Sequence, residues 1–251
     1  MYDQSHQILI AGANSELASA LIARTINNSK YKLLLVSQSQ QNMCQDNVQA
    51  AIRRIDDVNL TDEVDQQRLS KEVSDFFDGP FSVINFAGNF WLHKSLIRTE
   101  FTEICDLISS HYLTLCGVAK AVTSAMIAKG GGRLVALSCN SVSYNYPDMA
   151  PFTCAKAAVE CFVKCYSNEY SMYNISAAAL ALPTMRTSRV IKEKPEGDHE
   201  NYISPEELSE ILLEQILTQG QYITGNIIRL FKYSRTFYHQ GYYQRNPRQE
   251  G

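Results

Sequence analysis

Seven short apolar runs recur along the chain: QILIA (7–11), KLLLVS (32–37), AIRRID (51–56), SVINFA (82–87), GRLVALS (132–138), ISAAALAL (175–182) and GNIIRLF (225–231). The stretches between them carry apolar residues at three- and four-residue steps, the period of a helix with one buried face. Runs with so few polar interruptions have no side to turn to water. That is how strands read in a parallel sheet covered by helices on both faces. The alternation therefore predicts an α/β fold, a doubly wound parallel sheet flanked by helices.

The longest helical stretch covers about 100–127, with Ile104, Ile108, His111, Leu115, Val118 and Val122 at helical steps, so a histidine lies on its apolar stripe. Residues 184–203, TMRTSRVIKEKPEGDHENYI, are polar, contain Pro195 and Gly197, and break the periodicity. They read as a mobile loop between a strand and the last helix, where a substrate lid would sit. Residues 229–248 hold five Lys or Arg, no acid and six aromatic rings. Alternating aromatic and basic residues can stack on bases, but the chain's overall acidity favours an extension, 232–251, that packs over a subunit interface or closes the cleft. No internal repeat or linker divides the chain, so 1–251 reads as one domain.

A length of 251 residues with 45% hydrophobic content suffices for one large core. The net charge of −3 and pI near 6.0 give no general attraction to nucleic acid or to an anionic membrane. No apolar run approaches the ~20 residues of a membrane span. The first residues pass from a polar start into an apolar run without the basic region of a secretory signal, so a cytoplasmic protein is expected. The cysteines (44, 105, 116, 139, 154, 161 and 165) are odd in number and include no C-x-x-C pair, which favours reduced thiols over a disulfide framework. Cys161 and Cys165 stand one helical turn apart, but no second pair or nearby histidine completes a ligand set, so no metal site is predicted.

The first run leads through a glycine turn into a helical pattern, ILIAGANSELASAL. In that context main-chain amides and the positive end of a helix hold a diphosphate. Together with INFAG (84–88), FTCAK (152–156) and LPTMRT (182–187), in order and at matching separations, it resembles the short-chain dehydrogenase/reductase family over about residues 7–231. The resemblance implies a Rossmann-type sheet, an NAD(P)(H) cofactor and a small-molecule substrate. It also implies a homodimer or homotetramer formed through the helices near 100–127 and 150–172.

The family's T-G-x-x-x-G-x-G motif falls on residues 11–18, where Gly12 is retained and Glu16 and Ala18 replace the later glycines. The resemblance gives Asn14, Ser15, Glu16 and Leu17 to the phosphate turn. A carboxylate at Glu16 repels a diphosphate unless it turns away to solvent; alternatively, Asn14, Ser15 and Glu16 serve to cap and charge-complement the helix start. After the second strand the acid that would accept from a ribose hydroxyl is absent, leaving Ser37 and Gln38. This tilts the expectation towards NADP(H), with Gln38 where relatives often carry an Arg. Asn59 matches the adenine-contacting Asp of the family, and Asn85, Ala87 and Gly88 match its N-N-A-G stretch. Pro183, Thr184 and Thr187 fall on the segment that follows the nicotinamide-side strand.

The catalytic positions depart furthest. Lys156 matches the family lysine that holds the nicotinamide ribose and lowers the pKa of a tyrosine. That tyrosine is Phe152 here, and a phenyl ring has no proton to give. The substrate-binding Ser becomes Cys139, and the helix Asn becomes His111. The resemblance thus leaves two classes open: a weak or atypical carbonyl reductase, with Cys139 on the substrate oxygen and a proton from Tyr144, Tyr146 or water, or a non-catalytic protein binding a cofactor or metabolite. A Cys139–His111 thiol–imidazole pair for non-redox chemistry is a further option.

Overall fold

The computed structural model describes residues 6–40, 48–91, 93–217 and 224–232, with nothing said of the side chains of residues 215 and 216. The seven apolar runs form β1 (His6–Ala11), β2 (Tyr31–Val36), β3 (Ala51–Ile55), β4 (Phe81–Asn85), β5 (Gly132–Cys139), β6 (Ile175–Leu182) and β7 (Asn226–Arg229). They pair in parallel in the order β3-β2-β1-β4-β5-β6-β7. The chain reverses direction across the sheet between β1 and β4, and the carboxyl ends flanking that point form the crevice in which such sheets bind ligands.

Each inner strand divides its side chains between two cores. Leu9, Ala11, Leu34 and Val36 face one side, against α2 (Glu63–Phe76), α4 (Thr114–Ala128) and α6 (Ala150–Tyr170). Ile8, Ile10, Leu33 and Leu35 face the other, against α1 (Glu16–Thr25) and α8 (Pro205–Ile211). The period of two along a strand produces this division. Both faces are apolar because both are covered.

The predicted 100–127 helix is not uniform. It consists of α3 (Phe101–Ile108), a π-helical turn at Ser109–Leu113, and α4. The wider turn contains His111 and leaves Ser109 and Ser110 facing the crevice. Such insertions in a helix are frequently found at functional sites. Apolar spacing alone does not register one extra residue per turn.

The 184–203 segment corrects the loop expectation. It contains α7 (Ser188–Glu193) and a 3-10 turn at His199–Asn201, and Met185 bridges to Ile203. Met185, Val190 and Ile203 are buried, and Thr187 caps α7 by accepting from the Val190 amide at 3.3 Å. Three apolar anchors and a cap are enough to order a stretch whose average composition is polar. A short helix, α5 (Ser141–Tyr144), links β5 to the loop before α6.

Gly117 is a close-approach position that the sequence reading did not pick out. A Cβ there would overlap the carbonyl of Leu60, in the loop between β3 and α2. Gly117→Ala is expected to cost about 1–3 kcal/mol as overpacking. Thermal unfolding would report a midpoint lower by about 2–4 °C per kcal/mol; an unchanged midpoint would show that the Leu60 loop yields freely.

Candidate functional site

At the carboxyl ends of β1, β2 and β4 a cavity of about 350 Å³ opens. Its size is at the lower end of the ~300–1,000 Å³ of small-molecule pockets. Gly12, Asn14 and Ser15 form one wall, Ser37, Gln38 and Ser39 the second, and Asn59, Leu60 and Thr61 the third. Phe86, Ala87, Gly88 and Asn89 close the floor, and Asp106, Ser109, Ser110 and Thr114 line it from the helix with the π turn.

The turn after β1 needs its glycine. Gly12 has φ +75°, and a Cβ there would stand 2.6 Å from the Ala87 amide nitrogen. Ser15 caps α1, its hydroxyl accepting from the Ala18 amide at 3.1 Å, so capping and cavity lining belong to the same residue. Asn14 donates to the Ser39 carbonyl at 2.7 Å, joining the glycine turn to the end of β2. Asn85 is buried and accepts from the Ala87 amide, which places it under the floor as a support.

A cation not foreseen from the sequence stands behind this rim. The Arg54 guanidinium, on β3, donates to Asn14 Oδ1, to Ser37 Oγ at 3.1 Å and to Asp56 Oδ1 at 2.8 Å. Ser37 also donates to Asp56. The acid missing after β2 thus has a counterpart one strand over, already paired with Arg54. Neighbouring strand ends meet in space regardless of their separation along the chain.

Glu16 does not turn to solvent alone. Its carboxylate accepts from the Ser188 amide at 2.9 Å on each oxygen and from the Ser188 hydroxyl at 3.1 Å. Next to Ser188, the Arg189 guanidinium lies 4.5 Å from the Phe90 ring centre. Glu16, Leu17, Pro183, Thr184 and Thr187 are outside the cavity lining.

The positions expected from the resemblance to be catalytic come together, but not as a proton-transfer chain. His111 and Phe152 meet edge to face with ring centres 5.3 Å apart. Lys156 Nζ stands 5.7 Å from the Phe152 ring centre and donates to the Leu137 carbonyl at 2.9 Å. Burial pushes the Lys156 ammonium down to about 8, with the nearby Cys139 sulfur acting weakly the other way. His111 is pushed down to about 2, chiefly by burial and then by Lys156, against a small opposing effect of the Asn89 backbone. Neither of its ring nitrogens has a hydrogen-bond partner of ordinary geometry. The ring lies against Gly88, where a Cβ would collide with it.

The Cys139–His111 pair is therefore not formed. Cys139 Sγ instead accepts from the Ser141 amide at 3.4 Å. Tyr144 stacks on Tyr146, with ring centres 6.0 Å apart, and meets Phe231 edge to face at 6.2 Å. One turn along α6 from Lys156, the buried Glu160 accepts from Ser138 at 2.8 Å and stands 3.6 Å from Arg229. The end of β5 is thereby tied to α6 and β7.

Among the described residues no group of three His, Cys, Asp or Glu could hold a metal ion, and no helix is long and apolar enough to cross a membrane. The six described cysteines are free thiols; Cys44 lies outside the described residues. So does the aromatic and basic extension after Lys232, whose own ammonium pairs with Glu207 at 2.9 Å.

Solved structures share this fold at low sequence identity. A short-chain type dehydrogenase/reductase from Mycobacterium ulcerans is 15% identical, with a TM-score of 0.77 over 90% of this chain and 88% of its own. ElxO with NADP bound is 16% identical, with a TM-score of 0.77 over 90% and 97%. A tyrosine-to-phenylalanine variant of ElxO with NADPH bound reaches 0.78 over the same shares. A fatty acyl-CoA reductase from Acinetobacter baylyi is 26% identical over 231 residues, 88% of this chain and 76% of that protein. The model of the short chain dehydrogenase family matches residues 6–197, which include the glycine turn, the π turn and the Phe152–Lys156 helix. With sheet order and crevice in agreement, the chain belongs to the short-chain dehydrogenase family.

Proposed function

We propose that this protein binds a nicotinamide dinucleotide, NADP(H) in preference to NAD(H), and carries out carbonyl reduction weakly or not at all. The observation that carries the second half is the His111–Phe152–Lys156 arrangement. An edge-on phenyl ring takes the proton donor's place, and the lysine is bonded to a strand carbonyl. Loss of a positioned general acid removes ~10²–10⁴ in rate.

The residues present fit the cofactor unevenly. The adenosine half suits the cavity, with a capped helix start and polar groups from Asn14, Ser37, Gln38 and Asn59 around it. The diphosphate and nicotinamide positions are not matched in this arrangement, because Glu16 is bonded to Ser188 and the catalytic residues lie outside the cavity. When bound, the cofactor would supply a hydride, and Phe152, at the position where the family carries its tyrosine, has no proton to match it. The ElxO variant solved with NADPH supports the view that a tyrosine-to-phenylalanine change in this fold is compatible with dinucleotide binding. Relatedness to a fatty acyl-CoA reductase favours an aliphatic acyl or aldehyde compound as the small-molecule ligand. A cytoplasmic homo-oligomer joined through α3, α4 and α6 completes the reading, supported by the exposure of Phe101, Cys161 and Cys165 on these helices.

The preference for NADP(H) rests on Arg54. Its guanidinium bonds Asn14 and Ser37, the two sides between which a ribose phosphate would lie. Calorimetric titration should give tighter binding of NADPH than of NADH, and Arg54→Ala should weaken NADPH about tenfold while sparing NADH. That is the scale of one charge-assisted hydrogen bond. Equal losses for both nucleotides would count against the assignment, and no binding of either at millimolar concentration would defeat the functional reading.

A further inference from the structure

We propose that Glu16 is the specificity-determining residue of the cleft: its bond to Ser188 leaves the adenosine end open to a phosphorylated adenosine mononucleotide and admits a dinucleotide only when that bond is broken. The inference rests on the nucleotide-binding reading above and adds to it which part of the ligand the closed protein accepts.

The cavity ends where this contact begins. Gly12, Asn14 and Ser15 line it, as do Gly88 and Asn89 across the floor, whereas Glu16, Thr184, Thr187, Phe152 and Lys156 do not. A phosphate is ordinarily received at the first turn of a helix that follows such a glycine turn. Here the first residue of α1 after its cap is Glu16, whose carboxylate supplies the negative charge that the helix end favours. A diphosphate at the same end would meet a fixed like charge.

The other half of the contact holds α7 down. Ser188 is the first residue of α7 and offers Glu16 both its amide and its hydroxyl. Arg189 adds a contact to Phe90 at 4.5 Å, from the chain just beyond the cavity floor. The segment after β6 is thus tied to the glycine turn on one side and to the β4 loop on the other. Both Glu16 and Ser188 are exposed, and ties between exposed groups are individually weak. The closure is therefore one that a ligand can open.

Two variants break the contact from opposite sides. Glu16→Ala removes the acceptor and its charge. Ser188→Pro removes both donors at the first position of a helix, where proline is tolerated; Thr187 before it is already extended, as a residue preceding proline must be. The wild-type chain and both variants would be titrated with adenosine 2′,5′-bisphosphate and with NADPH, and amide exchange would be followed over residues 189–193.

Both variants should bind NADPH about tenfold tighter than the wild-type chain and should exchange faster over 189–193, while the bisphosphate affinity stays the same. Unchanged NADPH affinity with intact bisphosphate binding would overturn the inference and leave the nucleotide reading standing. A gain in Glu16→Ala alone would also overturn it, since charge repulsion and not the tie would then be responsible. NADPH binding without bisphosphate binding would overturn the inference alone, and if no form binds either ligand the nucleotide reading fails, and the inference with it.

Discussion

The triple variant Phe152→Tyr/Cys139→Ser/His111→Asn should reduce an aliphatic aldehyde about 10²–10⁴ times faster than the wild-type chain, at NADPH concentrations that saturate both. The tyrosine would supply the proton that a phenyl ring lacks. Lys156 Nζ already stands 5.7 Å from the centre of that ring, and a neighbouring ammonium favours the phenolate and lowers the phenol's pKa. A serine hydroxyl is a better donor to a developing alkoxide than a thiol. The asparagine would replace a buried imidazole whose nitrogens have no hydrogen-bond partner of ordinary geometry with a side chain that both donates and accepts. Following loss of the reduced-nicotinamide absorbance measures the effect. Phe152→Tyr alone should fall well short, because residues acting as a unit are strongly non-additive. A triple variant that binds NADPH yet stays inactive would place the barrier elsewhere in the cleft, with the Glu16–Ser188 contact the first suspect.

The second large effect is on stability. Burial lowers Lys156 from 10.5 to about 8. Below pH 8 the folded and unfolded chains both hold this proton, and the folded one bears a charge in apolar surroundings. Between pH 8 and 10.5 the unfolded chain still holds a proton that the folded chain has released, so the stability due to this group rises with pH. The full difference is about 3 kcal/mol. Lys156→Met removes the titration and leaves the Leu137 carbonyl without its partner, a cost of about 1–3 kcal/mol that does not change with pH. Urea unfolding of both proteins should therefore show the variant losing about 3 kcal/mol relative to wild type on going from pH 7 to pH 10.5. A constant difference across that range would mean that the ammonium reaches water.

His111 acts with the same sign in a lower window. It stays neutral in the folded chain down to about 2, while the unfolded chain takes up a proton below 6.5. Its contribution to stability is lost as pH falls through that interval. The triple variant, which lacks this histidine, should lose less stability on acidification than the wild-type chain.

Much of the architecture could be read from the chain because its signals are local. Ile8 and Leu9 are adjacent residues that serve opposite cores, and an unbroken apolar run is the only local pattern that satisfies both. The glycine turn was equally legible: only a residue free of Cβ suits φ +75° with the Ala87 backbone so close. Phe152 and Cys139 motivated the expectation of altered chemistry by their identities alone, since a phenyl ring donates no proton wherever it is placed.

Partnership between distant residues was decided by the tertiary structure. Glu16 and Ser188 are 172 positions apart, and Arg54 reaches Asn14 across 40; no periodicity encodes either contact. The π turn at His111 escaped apolar spacing because one inserted residue rotates the helix face without changing its composition. The 184–203 segment looked structureless because its average composition is polar, and the burial of Met185, Val190 and Ile203 and the Thr187 cap that order it exist only in the folded chain. By itself the sequence determined the parallel sheet and the glycine turn at its crevice, both of which follow from the chemistry and spacing of neighbouring residues. Only the folded chain decided that Lys156 turns to a strand carbonyl, that His111 is buried edge to face with Phe152, and that Glu16 ties down α7, because burial and hydrogen bonding at long sequence separation exist only once the strands have assembled.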